Sequence, residues 1–211
     1  MAAQPPFAIK ARKIVSRCPK TAGRQLGLLR LLASDIRAAA DLLSQAPGLG
    51  WSSDEHPGQV LFPSFAVLLA LRTSRSVPDA LLADLDSTCR DPLEVLSPDD
   101  VELRPKLGTP SIVTLIQGVS STIAFGEENL RLMVDSMCVA AERRVEGILG
   151  SSRRRQYGHA AMLVASCVAL APAGGGKDLS AWIMGLRQTY SRRHAFREEL
   201  RRAMESLGVR D

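Results

Sequence analysis

Cysteine, histidine and aromatic side chains are scarce in these 211 residues, with four Cys, three His, five Phe, two Trp and two Tyr. Cys18, Cys89, Cys138 and Cys167 lie far apart, with no CxxC pair and no histidine at finger spacing. Neither a structural zinc site nor a disulfide scaffold is expected from that pattern. Cys138 and Cys167 fall on apolar helix faces, where a thiol acts as a small hydrophobe. Long apolar runs are also missing. The longest, Val60 to Leu71 and Ala160 to Ala171, reach about twelve residues, whereas a bilayer-spanning helix takes about twenty. Both read as buried core helices, and no membrane partner is expected. Acidic residues are absent before Asp35, while Lys10, Arg12, Lys13, Arg17, Lys20, Arg24 and Arg30 precede it. An acid-poor basic amphipathic start can be an organelle transit segment. Here it flows into an ordinary helix pattern without a cleavage-like break, and no secretory signal pattern is present.

The residues that are abundant are leucine and alanine, which suit helices packed through aliphatic side chains better than a β-sandwich. The expected fold is all-α, with stacked antiparallel helical hairpins in an α-solenoid or a TPR-like or HEAT-like array. We expect residues 1–211 to form a single helical domain. The polar, proline-rich connection 91–110, with Pro92, Pro98, Asp99, Asp100, Pro105 and Gly108, is the candidate sub-boundary.

Helical periodicity places two short helices between Thr21 and Gln45, the first with Leu26, Leu29 and Leu32 inward, the second with Ile36, Ala39, Ala40 and Leu43. Ser34 or Asp35 caps the second, and Pro47 and Gly48 stop it. A hydrophobic helix follows from about Val60, where Pro63 is tolerable only in the first turn. Pro78 with Leu81, Leu82 and Leu85 marks another. Thr109 and Pro110 signal the start of a helix running to about Ala124. Glu127 and Glu128 open the longest helix, whose stripe is Leu130, Val134, Met137, Ala141, Val145 and Ile148, and Gly150 ends it. The last three run from about Arg154, Leu179 and Arg192, with Gly208 as the final stop.

Chemistry finds little support in the motifs. Gly174-Gly175-Gly176-Lys177 lacks the spacing of a phosphate loop, since Ala171 stands where its first glycine belongs and Asp178 where the Ser or Thr belongs. His194 and Glu198 share one helix face, yet Arg192, Arg193 and Arg197 around them repel a cation. His56 and His159 have no assignable partner. No Ser, Cys or Lys stands in a nucleophile motif, so we expect no enzyme activity, no catalytic residue, no metal site and no cofactor.

Two features suggest a partner instead. Trp51, Asp54 and His56 lie in a turn-rich loop that serves either to plug the gap between hairpins or as a recognition loop. The net charge of +5 is carried by arginine far more than lysine. Arg143, Arg144, Arg153, Arg154, Arg155, Arg192, Arg193, Arg197 and Arg201 crowd the last third, where stacked hairpins would bring them to one edge. Such an edge attracts an acidic protein or phosphates. GC-rich coding also raises arginine content, and the Glu198–Arg202 and Arg201–Glu205 spacings favour pairing along the helix. A non-enzymatic helical scaffold or adaptor that binds another protein is the leading expectation. A nucleic-acid-binding accessory module using the arginine-rich third is the alternative.

Arg153-Arg154-Arg155-Gln156-Tyr157-Gly158-His159-Ala160-Ala161, Trp182 to Tyr190, and Arg192-Arg193-His194-Ala195-Phe196 together resemble the C-terminal helical region of uncharacterised bacterial proteins. Some of these carry a SWIM-type zinc finger, whose CxC and CxH ligand pattern is absent here. The resemblance implies a bacterial, cytoplasmic helical-repeat module.

Overall fold

The computed structural model describes residues 23–53, 55–88, 111–121, 123, 125–172 and 178–209. Among these the chain is all-α, with helices α1 Gly23–Leu32, α2 Ile36–Ser44, α3 Gly58–Thr73, α4 Asp79–Thr88, α5 Ile112–Ser120, α6 Glu127–Gly150, α7 Tyr157–Leu170, α8 Leu179–Thr189 and α9 His194–Ser206. A short 3₁₀ turn, Arg154–Gln156, leads into α7. The described residues include no strand and no helix long and apolar enough to cross a membrane. Cys18, Asp54, Cys89, the 91–110 connection, Thr109, Pro110, the 174–177 loop and the basic residues up to Lys20 lie outside the described residues.

Short polar side chains set the helix ends. Asp35 accepts a hydrogen bond from the Ala38 N–H at 3.2 Å to cap α2, and its carboxylate also meets Arg30 at 3.1 Å. Ser34 acts through its backbone instead, because a φ of 62° lets the Asp35 N–H reach back to the Arg30 carbonyl and close α1. Ser111 caps α5 and Asp178 caps α8 in the same way as Asp35, through N–H groups three residues on. The start of α5 is therefore set by Ser111, whereas Thr109 and Pro110 were expected to set it.

Gly150 is the last residue of α6 as expected, and the left-handed residue beyond it is Ser152 (φ 54°), past which the Arg153 N–H bonds the Ile148 carbonyl. Two further expectations are corrected. Pro63 occupies the sixth position of α3, because Pro57 and Gly58 begin the helix early; the carbonyl of Gln59 thereby loses its helical donor. In α1 the buried residues are Gly27 and Leu31, while Leu26, Leu29 and Leu32 are only half-buried. The face is rotated because Gly27 lets α1 come close to Leu61, whose Cδ1 would lie 2.9 Å from an added Cβ. The α6 stripe is buried throughout as expected, and Gly208 (φ 67°) closes α9.

α3 forms the centre. Every residue from Val60 to Ala70 is buried, and the helix packs against α1, α2, α4, α5, α6 and α7. Helix directions follow from paired positions. Arg37 pairs with Glu128 near the starts of α2 and α6, while Gly48 meets Arg143 and Gly147 near their ends, so the two run parallel. α7 and α9 also run parallel. Tyr157 packs edge-on against Phe196 with centroids 6.1 Å apart at their starts, and Leu170 lines a groove with Leu207 at their ends. The start of α7 therefore lies beside the start of α9, with the end of α6 directly before it.

Candidate functional site

Three connecting segments meet at that end of the molecule: the 46–57 loop, the 151–156 turn and the 190–193 turn. One side chain ties the first two together. Arg144 sits on the inward face of α6 at 4% exposure. Its guanidinium donates to the Gly48 carbonyl at 3.2 Å, to Gln156 Oε1 at 3.0 Å and to His159 Nδ1 at 3.4 Å. Its cationic carbon also lies 5.7 Å from the centre of the Trp51 ring, within cation–π range. None of these acceptors is a carboxylate. Burial, reinforced by the nearby charge of Arg153 and opposed by Asp84, lowers the pKa of Arg144 to about 10. It remains a cation at neutral pH.

Around this hub the loop is anchored by its apolar members. Trp51, 6% exposed, packs on His56 at 4.8 Å, on His159 at 5.3 Å and edge-on to Phe62. His56 is equally buried, with Nε2–H donating to the Pro47 carbonyl at 2.8 Å and Nδ1 accepting from the Gly58 N–H at 3.1 Å. That pattern fixes the neutral ring. Burial lowers the pKa of His56, the charges of Arg144 and His159 lower it further, and the Pro47 carbonyl opposes them. Two glycines make the approach tight enough. A Cβ on Gly48 would lie 2.1 Å from the Arg143 carbonyl oxygen, and one on Gly58 would lie 2.8 Å from the Trp51 ring. Trp51 and His56 thus plug the gap between helices and carry the loop, leaving Ser52, Ser53 and Glu55 exposed.

His159, which the sequence left without a partner, joins the network. Its Nε2 stands 3.4 Å from Asp84 Oδ2 on α4 while its Nδ1 faces Arg144. Sequence reasoning missed this hub, although a signal was present: Arg144 follows Met137 and Ala141 and precedes Ile148 at helical spacing, a charge within an apolar stripe.

The other arginines singled out in the sequence divide into two groups. Arg201 is held by Glu198 and Glu205, and Arg202 by Glu198 at 3.1 Å and by Glu199 at 3.4 Å. The Arg201 hydrogen bond holds the Glu198 carboxyl below the usual carboxylate range. Arg143 donates to the Ala46 carbonyl and Arg197 to the Ser191 carbonyl. In contrast, the guanidinium groups of Arg153, Arg154, Arg155, Arg192 and Arg193 are exposed and have no hydrogen-bonding or ion-pairing partner among the described residues. Because α7 and α9 start side by side, these five side chains share one end of the molecule. The positive ends of both helix dipoles face the same way. Beside them a groove of about 450 Å³ runs along α9, lined by Arg187, His194, Arg197, Glu198, Leu200 and Arg201.

The described residues bring together no group of three His, Cys, Asp or Glu side chains suited to a metal ion. His194 and Glu198 share a wall of the groove as their spacing predicts, but Glu198 is engaged by arginine. The chain matches no known family model, no curated protein and no solved structure.

Proposed function

We propose that this chain is a non-enzymatic α-helical scaffold or adaptor of the bacterial cytoplasm that docks another protein through its arginine-bearing end. The observation that supports this most is the set of five guanidiniums, without a partner among the described residues, at the adjoining starts of α7 and α9. Arginine left without an internal partner keeps its full forked donor set for another molecule. The Arg144 hub supports the same reading, because it holds the loops behind that surface in one arrangement and so lowers the ordering cost of binding. In finer detail we propose stacked antiparallel hairpins built from the packed sequential pairs α1–α2, α3–α4 and α6–α7, closed into one domain by the contacts of α3 with six other helices.

A photo-crosslinking residue placed at Arg154 or Arg193, with Arg72 at the far end of α3 as control, tests the docking surface. We expect a discrete protein adduct from the first two positions only. Equal labelling from all three, or none above background, contradicts it. The same arginines support a second reading as a nucleic-acid-binding accessory surface, which predicts that crosslinks form mainly to nucleic acid.

A further inference from the structure

Resting on that docking surface, we infer that the partner presents an acidic segment, a run of Asp and Glu side chains, to the arginines of the 151–156 and 190–193 turns. The charge is organised as two clusters. Arg153, Arg154 and Arg155 precede α7, and Arg192 and Arg193 precede α9. Packed helices lie about 8–10 Å apart. Alternate side chains on an extended chain lie about 7 Å apart and point the same way, so one acidic segment places successive carboxylates on the two clusters. Each carboxylate accepts two N–H donors from a guanidinium fork, the strongest arrangement available to an exposed cation.

Two observations favour carboxylates over a nucleic-acid backbone. Tyr157, Trp51, Trp182 and Phe196 are buried and Tyr190 is half-buried, so the described residues at this end offer no exposed aromatic platform for bases. Glu146 on α6 and Glu198 and Glu199 on α9 interrupt the positive field. A uniformly charged duplex meets those carboxylates, whereas a segment with discrete acidic side chains passes between them. The groove between α4, α7 and α9 does not compete for an acidic ligand, since its His159 and Arg202 are offset by Asp84 and Glu199.

Fluorescence anisotropy tests the inference with three labelled probes: a short alternating Asp-Glu peptide, a Ser-Gly peptide of equal length and a short duplex DNA. The expected result is binding of the acidic peptide, roughly tenfold or more weaker in R153E/R154E and again in R192E/R193E, and unchanged in R72E. Binding of the duplex is expected to be weaker than that of the peptide at both about 0.05 and 0.2 M salt. These variants alter exposed side chains, and thermal unfolding of each checks that the fold is retained. Tighter binding of DNA overturns the inference in favour of nucleic acid. No binding of the peptide, or equal loss in R72E, also overturns it. A protein crosslinked through Arg154 or Arg193 that has no acidic segment defeats this inference and leaves the scaffold standing, whereas the absence of any crosslink defeats both.

Discussion

Replacing Arg144 with methionine keeps much of the side-chain volume and removes the guanidinium that joins the 46–57 loop to the 151–156 turn. Three donated hydrogen bonds disappear, to Gly48, Gln156 and His159. The contact over Trp51 is lost with them. Hydrogen bonds from a charged donor contribute about 1.5–3 kcal/mol each, and the bond to His159 is long enough to fall below that range. The desolvation cost of the buried cation is recovered, which offsets part of the loss. The acceptors Gly48 O and Gln156 Oε1 remain in place without a donor, each at about 1–3 kcal/mol if water does not reach them. The net expected destabilisation is about 3 kcal/mol. For a chain of this size that lowers Tm by roughly 6–12 °C. Urea unfolding of R144M against the exposed-site control R131A measures it, with the control expected within about 0.5 kcal/mol of wild type. A loss below about 1 kcal/mol in R144M refutes the hub, because the network would then contribute no more than one ordinary surface substitution.

Other perturbations have worked signs. Gly48→Ala drives a Cβ to 2.1 Å from the Arg143 carbonyl oxygen, so the α2–α6 contact must open, at about 3 kcal/mol in urea unfolding. Ser34, Ser74 and Ser152 hold φ between 54° and 62°, so glycine at any one should raise stability by about 0.5 kcal/mol, the relief of left-handed strain exceeding the added unfolded-state freedom. His56 is neutral when folded, with a pKa below its ordinary 6.5, so the unfolded chain takes up the proton first. Its stabilisation is present above pH 6.5 and declines as pH falls from there toward the folded value. Glu198, lowered from 4.5, also loses stabilisation on acidification, but only below that value, so Tm measured between about pH 7.5 and 5 isolates the histidine. H56Q should flatten that slope, and an unchanged slope contradicts the assignment.

Much of the fold was legible because helix burial repeats along the chain at close spacing. The stripe from Leu130 to Ile148, the Asp35 cap and the Gly208 stop each depend on residues within a few positions of one another. The errors arose where a distant segment decides. Gly27 rotates α1 toward Leu61, and the early start of α3 is set by Pro57 and by Gly58 beneath Trp51. Serine ends three described helices in a left-handed conformation that composition assigns to glycine. The arginine surface was legible only as a set of positions. Its division into buried hub, paired helix face and unpartnered end depends on contacts such as Arg144 to Gly48, which lie 96 positions apart in sequence. The sequence also offered no way to know that α7 and α9 run parallel and bring two arginine turns together.

The central claim is that the unpartnered arginines at the starts of α7 and α9 form the docking surface. Arginine side-chain Nε–Hε resonances, followed by NMR while the acidic peptide is titrated in, report on it directly. The account predicts shifts confined to Arg153, Arg154, Arg155, Arg192 and Arg193, with Arg72, Arg75 and Arg131 unmoved. Shifts spread over all exposed arginines, or confined to Arg72 and Arg75, contradict it.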